Sequence, residues 1–219
     1  MNDLTLVQEY LICAVNEKGK ISSFQTEKLV CLIAAGLLDL QLADCIQIEE
    51  NSVTVVKELP SDRMHLKDLY DVVDQGKPVT LKKVAEAYMG TLTDKRLQAW
   101  MDSIGSSLAD LGVVTMAPGG LFAKKNAYVP SAAIIHRIVD MMKAELFEDV
   151  EITEEIASLI ILLDKSHSLK TYFSAYEQKE IKETLTNLAE SDEGRMIKGM
   201  IEQVESMIVM MSVFVAACS

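Results

Sequence analysis

The sequence predicts a mainly α fold: a compact globular helical domain with central buried helices and two or more small β-hairpins at its edge. Apolar residues recur at helical spacing along most of the chain, between recognisable caps. Two short runs flank polar turns in the manner of hairpins. Apolar residues make up 49% of the 219, enough to fill a large core and too many for long disorder. A single domain over residues 1–219 is expected.

Leu4–Val15 opens the chain as a helix, with Leu4, Leu6, Val7, Tyr10, Leu11 and Ala14 as its apolar face. Asn16-Glu17-Lys18-Gly19-Lys20 breaks it. Ser22 followed by Gln25 resembles a capping box and starts a second helix through Leu29 to Leu42. Its apolar residues cover more than one stripe, which implies deep burial. Asp39 inside it needs a cation or several donors, and a structural ion pair is expected.

Ile46–Ile48 and Val53–Val56 alternate around Glu49-Glu50-Asn51 and read as a hairpin. A short helix at Leu66–Val73 lies in the charged stretch that follows. Thr80 caps Leu81–Met89, and Gly90 stops it. Thr93 opens a long helix in which Leu97, Trp100, Met101, Ile104, Leu108 and Leu111 recur at helical spacing, ended by Gly112. Val113–Met116 and Leu121–Val129 flank Ala117-Pro118-Gly119-Gly120 as a second hairpin. Pro130-Ser131 begins the next helix. Thr153 caps Glu154–Lys165, then Tyr172–Ala189 and Arg195–Cys218 complete a helical last third.

The formal net charge is −12, unevenly spread. Residues 1–60 carry 4 basic and 9 acidic side chains, residues 61–140 carry 10 and 9, and residues 141–219 carry 7 and 15. Such a body repels nucleic acid and anionic lipid at long range, so an anion-attracting face draws on the middle third. Cys13, Cys31, Cys45 and Cys218 form no C-x-x-C and lie in apolar stretches, as buried thiols of a reducing compartment do. No metal site and no cofactor are expected. The N-terminus has no basic n-region or cleavage-type site, so no secretory signal is expected. The apolar run Met207–Cys218 is 12 residues long, whereas a membrane span takes about 20.

Four stretches in order resemble the Golgi phosphoprotein 3 family: LTLVQEYLI at the start, GLLDLQLADCIQIEENSVTVV at the first helix–hairpin junction, SSLADLGVVT followed by LF and VP at the second, and the tail VMMSVFVAAC. Together they cover roughly residues 3–217. The resemblance implies a peripheral membrane protein placed in the cytoplasm, on the cytoplasmic face of a membrane. Relatives read phosphatidylinositol 4-phosphate through a shallow pocket of one tryptophan and three arginines, beside an apolar hairpin tip that dips into the bilayer. Eukaryotic relatives recruit partners to Golgi membranes and help retain glycosyltransferases. This chain opens without their basic, arginine-bearing extension, as expected of a bacterial member.

Carried over by position, the tryptophan's place falls near Phe24 or Gln25 and the arginines' places on Ile33, Gln98 and Met101. None supplies a charge-assisted donor to a phosphate. Lys95 and Arg96 lie one turn away from Gln98 and are candidates to substitute. Leu121 and Phe122, with Lys124 and Lys125 beside them, make a candidate membrane wedge of apolar tip and basic collar. The expected ligand is an anionic lipid or phosphoinositide headgroup.

Two other readings fit parts of the chain. Residues 80–129 have the layout of a winged helix-turn-helix, with Asp94–Leu111 as the recognition helix. That helix offers Lys95 and Arg96 but also Asp102 and Asp110, and no nucleic acid is expected. A protein-interaction scaffold could use the acidic last third, or pair the hairpin at residues 46–57 edge to edge in a homo-oligomer. No H-E-x-x-H, G-x-S-x-G, Walker loop or Rossmann fingerprint occurs, and no enzymatic activity is expected.

Overall fold

A computed structural model describes residues 4–90, 95–117, 126–148, 152–190 and 195–218. Among them nine α-helices and two small antiparallel sheets form the fold, which is mainly α as the periodicity predicts. Three helices make the centre. Helix α1 (Leu6–Ala14) buries every one of its residues. Helix α2 (Thr26–Leu42) is buried without a break from Leu29 to Leu40. Helix α7 (Glu154–Lys165) is buried from Ile156 to Leu163. They pack on one another, and α9 (Arg195–Cys218) packs on α2 and α7. Apolar side chains all round α2 are what such enclosure requires.

The outer helices bury one stripe each. Helix α5 (Lys95–Asp110) turns Leu97, Trp100, Ile104 and Leu108 inward. Helix α6 (Ala132–Phe147) does so with Ile134, Ile138, Met142 and Leu146. Met200, Val204, Met207 and Met211 form the buried stripe of α9, so these methionines are core packing. Local chemistry sets the starts. The hydroxyls of Thr80, Ser131 and Thr153 accept from the N–H groups of Lys83, Ile134 and Ile156, capping α4 (Leu81–Met89), α6 and α7.

Several boundaries differ from the sequence reading. Ser22 N–H does donate to Gln25 Oε1, but α2 begins only at Thr26, with Gln25 at its cap. The reciprocal bond therefore closes a turn ahead of the helix. Helix α3 (Lys67–Val73) is preceded by a 3-10 segment, Ser61–Leu66. The helix expected from Tyr172 is α8 (Ala175–Glu190), after a 3-10 turn at Leu169–Thr171.

Strands β1 (Ile46–Glu49) and β2 (Ser52–Val55) pair as the first hairpin, with Ile46 opposite Val55 and Ile48 opposite Val53. A strand the sequence reading did not contain, β3 (Val79–Thr80), pairs with the other side of β2. Val53 is thus in the middle strand, and β1 is an edge. The second sheet pairs β4 (Val114–Ala117) with β5 (Ala127–Pro130), Ala117 facing Ala127.

Asp39 forms the ion pair its position demands. Its Oδ1 lies 2.7 Å from Arg63 Nη1, and its Oδ2 accepts from Val7 N–H at the start of α1. Among the described residues no helix is long and apolar enough to cross a membrane.

Candidate functional site

The loop between α1 and α2 folds on its asparagine. Asn16 Oδ1 accepts from the N–H groups of Lys18 and Lys20, at 2.9 and 3.2 Å, and Gly19 N–H donates back to Asn16 O. Asparagine favours such turns because its short amide copies a backbone carbonyl. Gly19 has φ +68° and presents its carbonyl to Tyr128 N–H on β5 at 3.0 Å. A Cβ at Gly19 would stand 2.5 Å from the Tyr128 carbonyl carbon, so only glycine permits this approach.

Tyr128 is fixed from α5 as well. Its ring lies over Gly105, where a Cβ would come within 2.4 Å of it. Its O–H lies 3.2 Å from both Asp102 Oδ1 and Asp102 O. Gln98 Nε2 donates to the same Asp102 carboxylate at 3.3 Å. Burial, chiefly, raises the phenol's pKa, and Asp102 adds to it against the Ser106 and Asn126 bonds.

These contacts leave a small surface pocket between the loop, α5 and β5. Leu11, Met101 and Tyr128 line its wall, and Lys20, Gln98 and Asn126 its rim. It holds about 40 Å³, room for a few waters. Gln98 and Met101, the two α5 places carried over from the resemblance, both line this pocket. Lys20 joins them from about eighty positions earlier in the chain, which no spacing argument on α5 could reveal. Tyr128 was equally hidden, although the Asn16–Gly19 turn that meets it was visible as a helix breaker.

The other candidates are placed elsewhere. Ile33 is fully buried inside α2. Phe24 is 93% exposed, in the turn leading into α2. Lys95 is exposed at the start of α5. Arg96 points to α3 and α4: its Nε and Nη2 hold the Asp68 carboxylate at 3.0 and 3.2 Å, and its guanidinium lies 5.5 Å from the Tyr88 ring centroid. The Asp68 bonds raise its pKa. Trp100 is a core residue, 1% exposed and tilted against Tyr88 at 5.1 Å between centroids. Leu121, Phe122, Lys124 and Lys125 lie outside the described residues.

No group of three or more His, Cys, Asp or Glu that could hold a metal occurs among the described residues. Cys13, Cys31 and Cys45 are buried and free, and burial pushes the Cys31 thiol up to about 12. His136 and His167 are exposed, while His65 is buried with its Nε2 3.2 Å from Thr5 Oγ1.

Enclosed central helices, two edge sheets and a shallow pocket against the second sheet define a helical body of the kind the sequence resembles. The chain belongs to the Golgi phosphoprotein 3 (GPP34) family, whose model matches residues 6–207. Comparison with curated proteins gives no match.

Proposed function

We propose that this protein is a non-catalytic peripheral domain that contacts anionic membrane surfaces, with the Gln98–Met101 pocket, the exposed Phe24 and the sequence Leu121, Phe122, Lys124 and Lys125 as its contacting parts. One observation carries the reading beyond family membership. Gln98 and Met101 line a surface pocket with Lys20, next to the strands that lead into Leu121, Phe122, Lys124 and Lys125. An exposed aromatic, an apolar segment and nearby lysines are the materials of interfacial binding.

The same residues limit its strength and selectivity. Each lysine near an anionic surface contributes about 1 kcal/mol, against a body of net charge −12. A pocket of about 40 Å³ cannot enclose an inositol phosphate, and Gln98 and Met101 offer no bidentate donor. Binding is therefore weak, sensitive to salt and nearly indifferent to the headgroup.

Vesicle co-sedimentation tests this with neutral, generically anionic and phosphoinositide-containing lipids. The protein is expected to pellet with both anionic kinds at low salt and with neither at high salt. Leu121→Asp with Phe122→Asp removes binding, and Gln98→Arg with Met101→Arg creates a preference for phosphoinositide. Equal pelleting with neutral vesicles, or no effect of the Leu121 and Phe122 changes, sinks the proposal.

A further inference from the structure

On the far side of the Asn16–Lys20 loop lies a second, larger cleft. Its volume is about 610 Å³, within the range of about 300–1,000 Å³ usual for small-molecule sites. We propose that this cleft is a binding site for a small amphiphilic anion, with a carboxylate or phosphate held by Lys18, Lys28 and Lys170 and an apolar body against Val15, Val129, Pro130 and Ile135.

The lysines make the case. Lys18 and Lys28 line the cleft, and Lys170 precedes Thr171, which also lines it. In this acidic protein Lys67, Lys143, Lys165 and Lys182 are each ion-paired. Among the described residues, no carboxylate pairs with Lys18, Lys28 or Lys170. Lys28 is held in place: its Nζ donates to Ala14 O at 2.7 Å, at the carbonyl end of α1, where a cation is favoured. An ammonium has three donors, and among the described residues Lys28 uses one on protein. Burial lowers its pKa, and the neighbouring Lys170 charge lowers it further. An anion between the two would relieve that repulsion. Glu17 is the one carboxylate on the lining, against Lys18 and Lys28, so the lining is net positive.

Much of the remaining lining is apolar. Val15 comes from the end of α1, Val129 and Pro130 from β5, and Ile135 from α6. Tyr172 O–H is committed to Cys13 O at 2.9 Å and fixes the 3-10 turn bearing Lys170 against α1. A bare inorganic ion would leave this lining wet, and an uncharged alkane would leave the lysines unpaired. A molecule with both parts satisfies both.

Isothermal titration of the full chain with octyl phosphate, sodium octanoate, n-octanol and inorganic phosphate tests the site. One octyl phosphate or octanoate is expected to bind per chain, at least about tenfold tighter than either n-octanol or phosphate. The tighter of the two names the headgroup. Lys18→Ala with Lys170→Ala, both at exposed positions, should weaken that binding by about tenfold or more. Lys28→Arg should retain it. Octanol binding as tightly as octyl phosphate, phosphate binding as tightly as either amphiphile, uptake without saturation, or no effect of the Lys18 and Lys170 changes each overturns the proposal. It does not rest on the membrane reading: Leu121→Asp with Phe122→Asp should leave octyl phosphate affinity unchanged.

Discussion

Asp39 and His65 are two ionisable groups buried beneath the start of α1, and they respond to pH in opposite directions. Burial raises the Asp39 pKa despite Thr5, Arg63 and Val7 N–H, so its folded-state charge is a cost relieved as pH falls. Burial lowers the His65 pKa to about 4, with Arg63 adding to the effect and Asp62 opposing it. A depressed histidine keeps its full contribution above the unfolded value near 6.5. Below that the unfolded chain takes up the proton first, and stability falls as pH drops to about 4. The loss across that window reaches about 3 kcal/mol. Urea denaturation at several pH values between 7 and 4 should show this slope in the wild type. It should be largely absent in His65→Gln, and a variant with an unchanged slope would assign the effect elsewhere. His136 and His167 are exposed and do not share this environment.

The second hairpin was legible in residue order: the expected Val113–Met116 is β4 (Val114–Ala117), and the expected Leu121–Val129 overlaps β5 (Ala127–Pro130), its first five residues lying outside the described ones. Helices α4 and α7 have the predicted bounds because Thr80 and Thr153 cap them and their apolar period is regular. Strand β3 escaped because two residues after Pro78 carry no period, and only the partner strand makes them a strand. Arg96 reads as a free surface cation until α3 brings Asp68 to it from 28 positions away. Gln98 and Met101 entered only as places carried over from the resemblance, while Lys20 and Tyr128 required the fold to meet. What locks that meeting is Gly19, and its role can be separated into two parts. Gly19 and Gly76 both have positive φ, but a Cβ at Gly76 meets nothing within 4 Å. Gly76→Ala should therefore cost only the left-handed strain of about 1–2 kcal/mol. Gly19→Ala adds a collision with the Tyr128 backbone and should cost about 2 kcal/mol more. Denaturation midpoints measure the difference, and the Tyr128 amide should lose hydrogen-exchange protection only in Gly19→Ala.

Across the whole molecule, salt is expected to act on stability and on the proposed membrane contact with opposite signs. The last third holds 15 acidic and 7 basic residues. Pairs such as Lys165–Glu205 between α7 and α9, and Lys182–Asp164 between α8 and α7, engage some of the carboxylates, but 15 acidic against 7 basic residues leaves an excess of eight. The remaining carboxylates repel one another over the surface, which opposes the compact state. At 0.1 M salt the screening length is about 10 Å, shorter than most distances across such a body. Raising sodium chloride from about 10 to 200 mM should then stabilise the protein by roughly 1 kcal/mol, a rise in Tm of about 2–4 °C. Under the proposed membrane reading, vesicle binding should fall over the same range, because screening would weaken any attraction of Lys20, Lys95, Lys124 and Lys125 to anionic lipid. The single tryptophan separates unfolding from contact at the surface. Trp100 is buried, so its emission reports unfolding and should not shift on vesicle contact. Salt that lowers Tm would overturn the account of self-repulsion among the carboxylates, and an emission shift on adding anionic vesicles to the folded protein would mean that the proposed membrane contact opens the core.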